Sequence, residues 1–259
     1  MRTWEVTLLI RGAIKVREQI KFGTDKELQI GNVFRSNIGI SNYRNGIKIT
    51  STVYTSSQSK AYKVAVLFIG KMLDVLTIRL SVPLLVEDKN SNSNIEDIGV
   101  RALISKEEFR ECFELSRDLN LNETAYLRGL NWFRKGLYSN DPFDTFLAYW
   151  NAISVIAGKY HNRNERTSQG IINQIWDCFI TIWGEECRNW PLINGDDRWI
   201  NDRNEIRNNI AHGVIPVEIE YVEDVIEKLP DVKEVANLFL IEWGTSQLNR
   251  RMDTATNNR

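Results

Sequence analysis

Asn140-Asp141-Pro142-Phe143-Asp144-Thr145-Phe146-Leu147-Ala148-Tyr149-Trp150-Asn151-Ala152-Ile153 decides how the second half of this chain folds. Asp followed by Pro is a helix-start signal, because Pro in a first turn gives up an N–H that has no partner there. Phe143, Phe146, Leu147, Trp150, Ile153 and Ala157 then recur at helical spacing.

Working outward toward the C-terminus, residues 158–166 read as a basic loop. A helix over 168–183 follows, with Ile171, Ile172, Ile175, Phe179 and Trp183 inward. The next starts near Asp196 and stops at Gly213, with Pro216 just beyond. Two more are expected over 218–228 and 231–246, divided by Leu229-Pro230, with Val232, Val235, Phe239 and Trp243 as the last stripe. Toward the N-terminus, a helix over 123–138 carries Tyr126, Leu130, Phe133 and Leu137. Another, over 105–118, opens on Ser105-Lys106-Glu107-Glu108, a capping box.

Upstream of 105 the pattern changes. Trp4 to Ile10, Ile14 to Ile20 and Gly46 to Tyr54 are rich in β-formers or alternate, and polar turns with Gly and Asn separate them. A helix over 57–76 puts Ala61, Val64, Ala65, Phe68, Met72 and Val75 on one face. An extended stretch over 77–86, a polar loop over 87–94 and a strand within 98–104 complete this half. The reading is an α+β protein: a β-rich N-terminal domain with a helix over 1–104, an all-α helical bundle over 105–246, and a polar tail over 247–259.

The composition excludes several classes. Of 259 residues, 42% are apolar and 26% charged, the balance of an ordinary soluble globular protein, and no run is long enough to span a membrane. The net charge of -1 offers no global basic field, so any RNA contact has to be a local patch. Cys112, Cys178 and Cys187 fit neither a paired disulfide framework nor a CxxC zinc site, and with no signal segment they read as reduced thiols in the cytoplasm. No phosphate-loop, dinucleotide or metalloprotease motif occurs, and no cofactor is expected. His161 is the only histidine besides His212, so no multi-histidine metal site is available. Asp196, Asp197 and Asp202 offer acidic metal ligands as one reading, but charges complementing a helix dipole are the favoured one.

The chemistry concentrates in Arg207-Asn208-Asn209-Ile210-Ala211-His212. Projected as a helix, Trp199, Ile206 and Ile210 form the buried stripe, while Glu205, Asn208 and His212 lie opposite. His212 stands at the helix C-terminus, where the last carbonyls favour an imidazolium, and histidine suits proton transfer near neutral pH. Arg207 offers a planar fork to a phosphate oxyanion. Asn208, one turn before His212, suits orienting the imidazole or bonding a ribose or phosphate oxygen. Together they are the parts of metal-free RNA cleavage: a base, an acid and a cation on the phosphate. The basic loop with Lys159, Tyr160 and Arg163 suits contact with an RNA backbone or stacking on a base, although a solvated interhelical loop is the favoured alternative; Lys159, Arg163 and Arg203 are the substrate-binding candidates.

Arg207 to Gly213 resembles the HEPN signature, an Arg followed at four to six residues by His, with a polar residue after the Arg. The stretch 140–153 is similar to the first core helix of the Apea-like HEPN group, which includes proteins described as methylamine-utilisation protein J-like. The likeness covers about 122–245. It implies a homodimeric, metal-independent ribonuclease of the toxin or antiviral-defence kind, in which two motifs meet across one cleft. By position, Arg207 binds the scissile phosphate, Asn208 assists and His212 is the acid/base. Two departures stand out: Val214 replaces the Tyr that some relatives carry two residues after the His, and Ser154 stands where relatives often carry Glu. The alternatives are a non-catalytic module binding a nucleotide, RNA or protein, and an accessory protein of methylamine metabolism. The N-terminal domain is then the place for a regulatory partner or activator.

Overall fold

The computed structural model describes residues 1–29, 32–87, 100–213 and 218–252. Two compact units divide after Asn122: Met1–Asn122 and Glu123–Asp253.

The first unit is a sheet with helices on one face. β1 (Arg2–Arg11), β2 (Ile14–Lys15), β3 (Ile20–Gln29), β4 (Asn32–Tyr43) and β5 (Gly46–Thr55) lead into α1 (Gln58–Leu80), β6 (Leu85–Val86), β7 (Ala102–Leu103) and α2 (Lys106–Asn122). The five-stranded sheet has the order β3-β4-β5-β1-β6 and is antiparallel at every junction, while β2 and β7 form a short parallel pair. Alternation selects the core: Val6, Leu8 and Ile10 of β1, Ile38 and Ile40 of β4, and Ile47, Ile49 and Val53 of β5 are all buried. Contacts of α1 with β1 and β5, and of α2 with β3, cover that face.

Three expectations for this unit are corrected. Residues 20–29 and 32–43, expected largely as polar turns, form β3 and β4. Inward polar groups hid the pattern: buried Ser36 donates to Thr52 O at 2.8 Å and meets Ser51 Oγ at 3.3 Å, so its hydroxyl is satisfied inside the sheet. The stretch from Thr77, read as extended, continues α1 to Leu80. Every residue from Met72 to Arg79 is buried there, and packing on all sides outweighs the β preference of Val75, Thr77 and Ile78. The boundary expected near 105 moves to 122. The capping box does form, with Ser105 N donating to Glu108 Oε2 at 2.7 Å and Glu108 N to Ser105 Oγ at 3.2 Å. Yet α2 packs into the first unit: Phe113 lies 5.8 Å from Phe22 and 5.1 Å from Phe68, and Glu111 pairs with Arg79 at 3.1 Å. Strand called within 98–104 is found at Ala102–Leu103, while the loop called over 87–94 falls, beyond Glu87, outside the described residues.

The second unit is helical: α3 (Thr124–Tyr138), α4 (Pro142–Tyr160), α5 (Ile171–Trp183), α6 (Trp199–His212) and α7 (Ile219–Glu242). Asp141 caps α4 by accepting from Asp144 N at 2.9 Å. Trp150 and Ile153 of α4 are buried at the centre. Around them Phe179, Trp183, Trp190 and Phe239 make a chain of tilted and edge-on ring contacts. Gly136 lets α3 approach α4, since a Cβ there would meet the Tyr149 ring.

Pro230 does not divide the last segment: α7 runs through it as one helix. Proline removes one backbone hydrogen bond, at a turn where Ile226 is half exposed. Val225 and Val232, on either side, are buried, and Asp231 is bonded to α6. Tertiary packing thus holds the helix across the break. Among the described residues no helix is long and apolar enough to cross a membrane.

Candidate functional site

Four pairings orient α6 within its unit. Trp199, at its start, lies 6.1 Å from Trp150 in the middle of α4. Ile206, two turns on, offers its carbonyl to the Tyr221 hydroxyl at 3.5 Å, and Tyr221 in turn lies 6.0 Å from Phe143 at the start of α4. At the other end Tyr160 lies 5.6 Å from Trp243. So α4 and α7 run the same way, α6 runs against both, and the C-terminal end of α6 sits at the Phe143–Tyr221 end of the bundle.

Within α6, Trp199, Ile200, Asn204 and Ile206 are buried, while Ile210, expected on the same stripe, is half-buried. Arg207 is half-buried and its Nη1 donates to Asn208 Oδ1 at 2.9 Å. The structure thus brings these two together, and the Asn208 carbonyl oxygen faces the guanidinium rather than an imidazole. His212 is exposed on the last turn, and no hydrogen bond joins it to either one. Gly213 then takes φ 60°, a left-handed conformation that closes the helix by aiming its N–H at the carbonyls of Asn209 and Ile210. Val214 lies outside the described residues.

The residues assigned to substrate binding separate. Arg203 is 11% exposed and donates to Asp231 Oδ2 from Nη2 at 2.9 Å and from Nε at 3.3 Å, with its guanidinium over the Trp199 ring. Its charge is used to join α6 to α7, so it is not a free cation for a phosphate. Lys159 and Arg163 are exposed, but they lie at the Tyr160–Trp243 end. At 1.5 Å per residue, Lys159 is about 24 Å along α4 from Phe143. Within one chain they do not share a surface with His212. Tyr160, read as a base-stacking residue, donates to Glu123 Oε2 at 2.5 Å and packs on Trp243, and burial with the neighbouring Glu123 charge pushes its phenol well up. His161 Nδ1 donates to Ala157 O at 2.7 Å. The Ser154 hydroxyl donates back to Trp150 O at 2.8 Å.

Tyr221 and Asn204 are neighbours of the motif that carry no periodic or spacing signal in the sequence. Burial, joined by the charges of Asp224 and Glu205, raises the Tyr221 phenol above its ordinary value, while a hydrogen bond with Asn209 opposes that. Tyr221 is therefore a neutral hydroxyl beside the motif helix across the physiological range. Asn204, one turn before Asn208, is buried and its Oδ1 has no partner among the described residues. Among the described residues no group of three His, Cys, Asp or Glu is placed to hold a metal ion.

What this arrangement offers chemically is a guanidinium with a carboxamide fixed on it, a phenol nearby, and an exposed imidazole one turn beyond, all at one end of a helical unit. Compared with known proteins, the chain matches no family model, no curated protein and no solved structure.

Proposed function

We propose that the chain is a HEPN-type endoribonuclease that acts as a homodimer and needs no metal. The single observation carrying this reading is the contrast along α6. Arg203 is consumed by Asp231 and Trp199, whereas among the described residues Arg207 bonds only Asn208 and His212 is left exposed. A half-buried Arg bonded only within its own helix and an exposed His, both on the last two turns, are surplus to the packing of α6 among the described residues.

The chemistry is transesterification. A base takes the proton of a ribose 2′-hydroxyl, whose oxygen attacks the adjacent phosphorus. The bond from phosphorus to the 5′ oxygen breaks, and an acid protonates that leaving oxygen. The products are a 2′,3′-cyclic phosphate and a 5′-hydroxyl. Arg207 holds the charge that builds on the phosphate, by paired hydrogen bonds that Asn208 keeps aimed. His212 exchanges the proton. One chain supplies one His212, so two copies meeting at the His212 ends of their α6 helices supply the base and the acid together.

Lys159 and Arg163, at the far end of the unit, take no part in this centre; they are a basic surface for more distant phosphates of a longer RNA. A specific observation favours the competing reading of a binding module: no acidic side chain accompanies the motif from the Ser154 position, whose hydroxyl is spent on Trp150 O. Incubating the full chain with a mixed RNA pool in EDTA, and mapping the ends formed, separates the two.

A further inference from the structure

The outer edge of β1 is open over most of its length. On one side β1 pairs with β5 from Arg2 to Arg11 without interruption. On the other, β6 reaches only Ile10 and Arg11, and Glu87 N adds one bond to Leu9 O at 2.9 Å. In an antiparallel ladder successive residues point their N–H and C=O to opposite neighbours. Since Leu9 points to the β6 side, Thr7 and Glu5 do so too. Among the described residues nothing completes the ladder there.

This edge is one wall of a cavity of about 350 Å³ lined by β1 from Trp4 to Leu9, by Gln58 and Tyr62 on the first turns of α1, and by Glu87. A groove between an edge strand and a helix has the shape that takes an added strand: the edge supplies backbone bonds, and alternate side chains fit under the helix. Among the described residues the lining carries two carboxylates, Glu5 and Glu87, and no Lys, Arg or His. The chain's own continuation after Glu87 reads Asp-Lys-Asn-Ser-Asn-Ser-Asn, without one β-branched or aromatic residue.

We propose that this edge is a docking site for an extended, basic segment of a partner protein, which pairs with Glu5 and Thr7 of β1 and sets lysines or arginines against Glu5 and Glu87. Charge complementarity selects the occupant, since an acidic strand would bring like charge against Glu5 and Glu87. The edge belongs to the first unit and owes nothing to the chemistry of α6.

The test uses the full chain and a fluorescein-labelled nonapeptide of alternating lysine and valine, followed by anisotropy. Amide hydrogen exchange of Glu5 and Thr7, the two amides that point away from β5, is read in parallel. The expected result is saturable binding that weakens with salt, with slowed exchange at those two amides only when peptide is present. Thr7→Pro removes an outward donor without touching the β5 ladder, and is expected to weaken binding at least tenfold. Thr7→Val is expected to leave it within twofold. Glu5→Lys combined with Glu87→Lys, or a glutamate-valine peptide on the wild type, is expected to cost at least tenfold as well. A probe N-methylated at consecutive residues, unable to bond an edge, serves if Thr7→Pro fails to fold, and binds at least tenfold more weakly. The proposal is overturned if the Glu5 and Thr7 amides are already protected in dilute protein, because the chain then fills its own edge. Protection that grows with protein concentration alone, meaning a second copy, overturns it too, as does peptide binding that ignores both Thr7→Pro and N-methylation.

Discussion

Asp231 of α7 accepts from Trp199 Nε1 at 2.7 Å and from Arg203 Nη2 at 2.9 Å, so one carboxylate ties two successive turns of α6 to the residue just after Pro230. Arg203 is 11% exposed and Asp231 31%. Removing the carboxylate strands a nearly buried guanidinium and an indole N–H. Asp231→Ala is expected to lower stability by about 2–3 kcal/mol, less than for a fully buried pair because Asp231 is partly solvated. A urea titration followed by Trp fluorescence measures it, and an unchanged midpoint would refute the clamp.

Arg203 and Arg207 stand four residues apart and are expected to fail differently. Arg203→Ala loses the clamp and is expected to destabilise the fold by a similar amount. Among the described residues Arg207 bonds only its neighbour Asn208, so Arg207→Ala is expected to stay within about 0.5 kcal/mol of wild type. Its RNA cleavage is nevertheless expected to fall at least about a hundredfold, the scale for losing a donor to a developing oxyanion. Parallel melts and cleavage assays of the two variants decide it; the reverse pattern would mean that the functional cation has been misassigned.

Gly136 sets two effects against each other. Replacing a helical Gly by Ala gains about 1 kcal/mol of helix propensity. Here the new methyl runs into the Tyr149 ring, which is packed against Phe133 at 5.5 Å and cannot swing aside. Overpacking costs about 1–3 kcal/mol, so Gly136→Ala is expected to be neutral to destabilising by about 2 kcal/mol. A clear rise in the melting temperature would show that α3 and α4 are not this close.

The thiols report on both units. Burial pushes Cys112 and Cys178 up to about 12, and Tyr149 likewise to about 12. Groups whose pKa is raised by folding stabilise while protonated. Their contribution is complete below the unfolded values, near 9 for thiols and 10 for tyrosine, and is lost as pH climbs toward 12. Urea midpoints are therefore expected to fall steadily from pH 9 upward, with a shallower fall in Cys112→Ala. In the folded chain at neutral pH only Cys187, partly exposed, is expected to react with a disulfide reagent. Immediate reaction of all three thiols would contradict the buried placement of the other two.

Legibility in the sequence followed the strength of local signals. Asp141-Pro142 and Ser105 to Glu108 announced their helix starts because capping is local chemistry, and both caps form. β3 and β4 were not legible, since their inward positions include Ser36, whose partners come from β5. Pro230 misled for the same reason in reverse: the bond that carries α7 past it comes from Arg203, 28 residues away. At the candidate site, the outward direction of His212 followed from helical spacing and is what the structure has. The consumption of Arg203 by Asp231 and the approach of Tyr221 were invisible, because side chains from a different helix decide them.

The most direct measurement is cleavage of a mixed RNA pool, in EDTA, by wild type and by His212→Ala at matched concentration and confirmed oligomeric state. Cleavage by the wild type alone, leaving 2′,3′-cyclic phosphate and 5′-hydroxyl ends, is the expected result. Equal cleavage by both proteins, or none by a wild type shown to be dimeric, would contradict the assignment of His212 as the group that moves the proton.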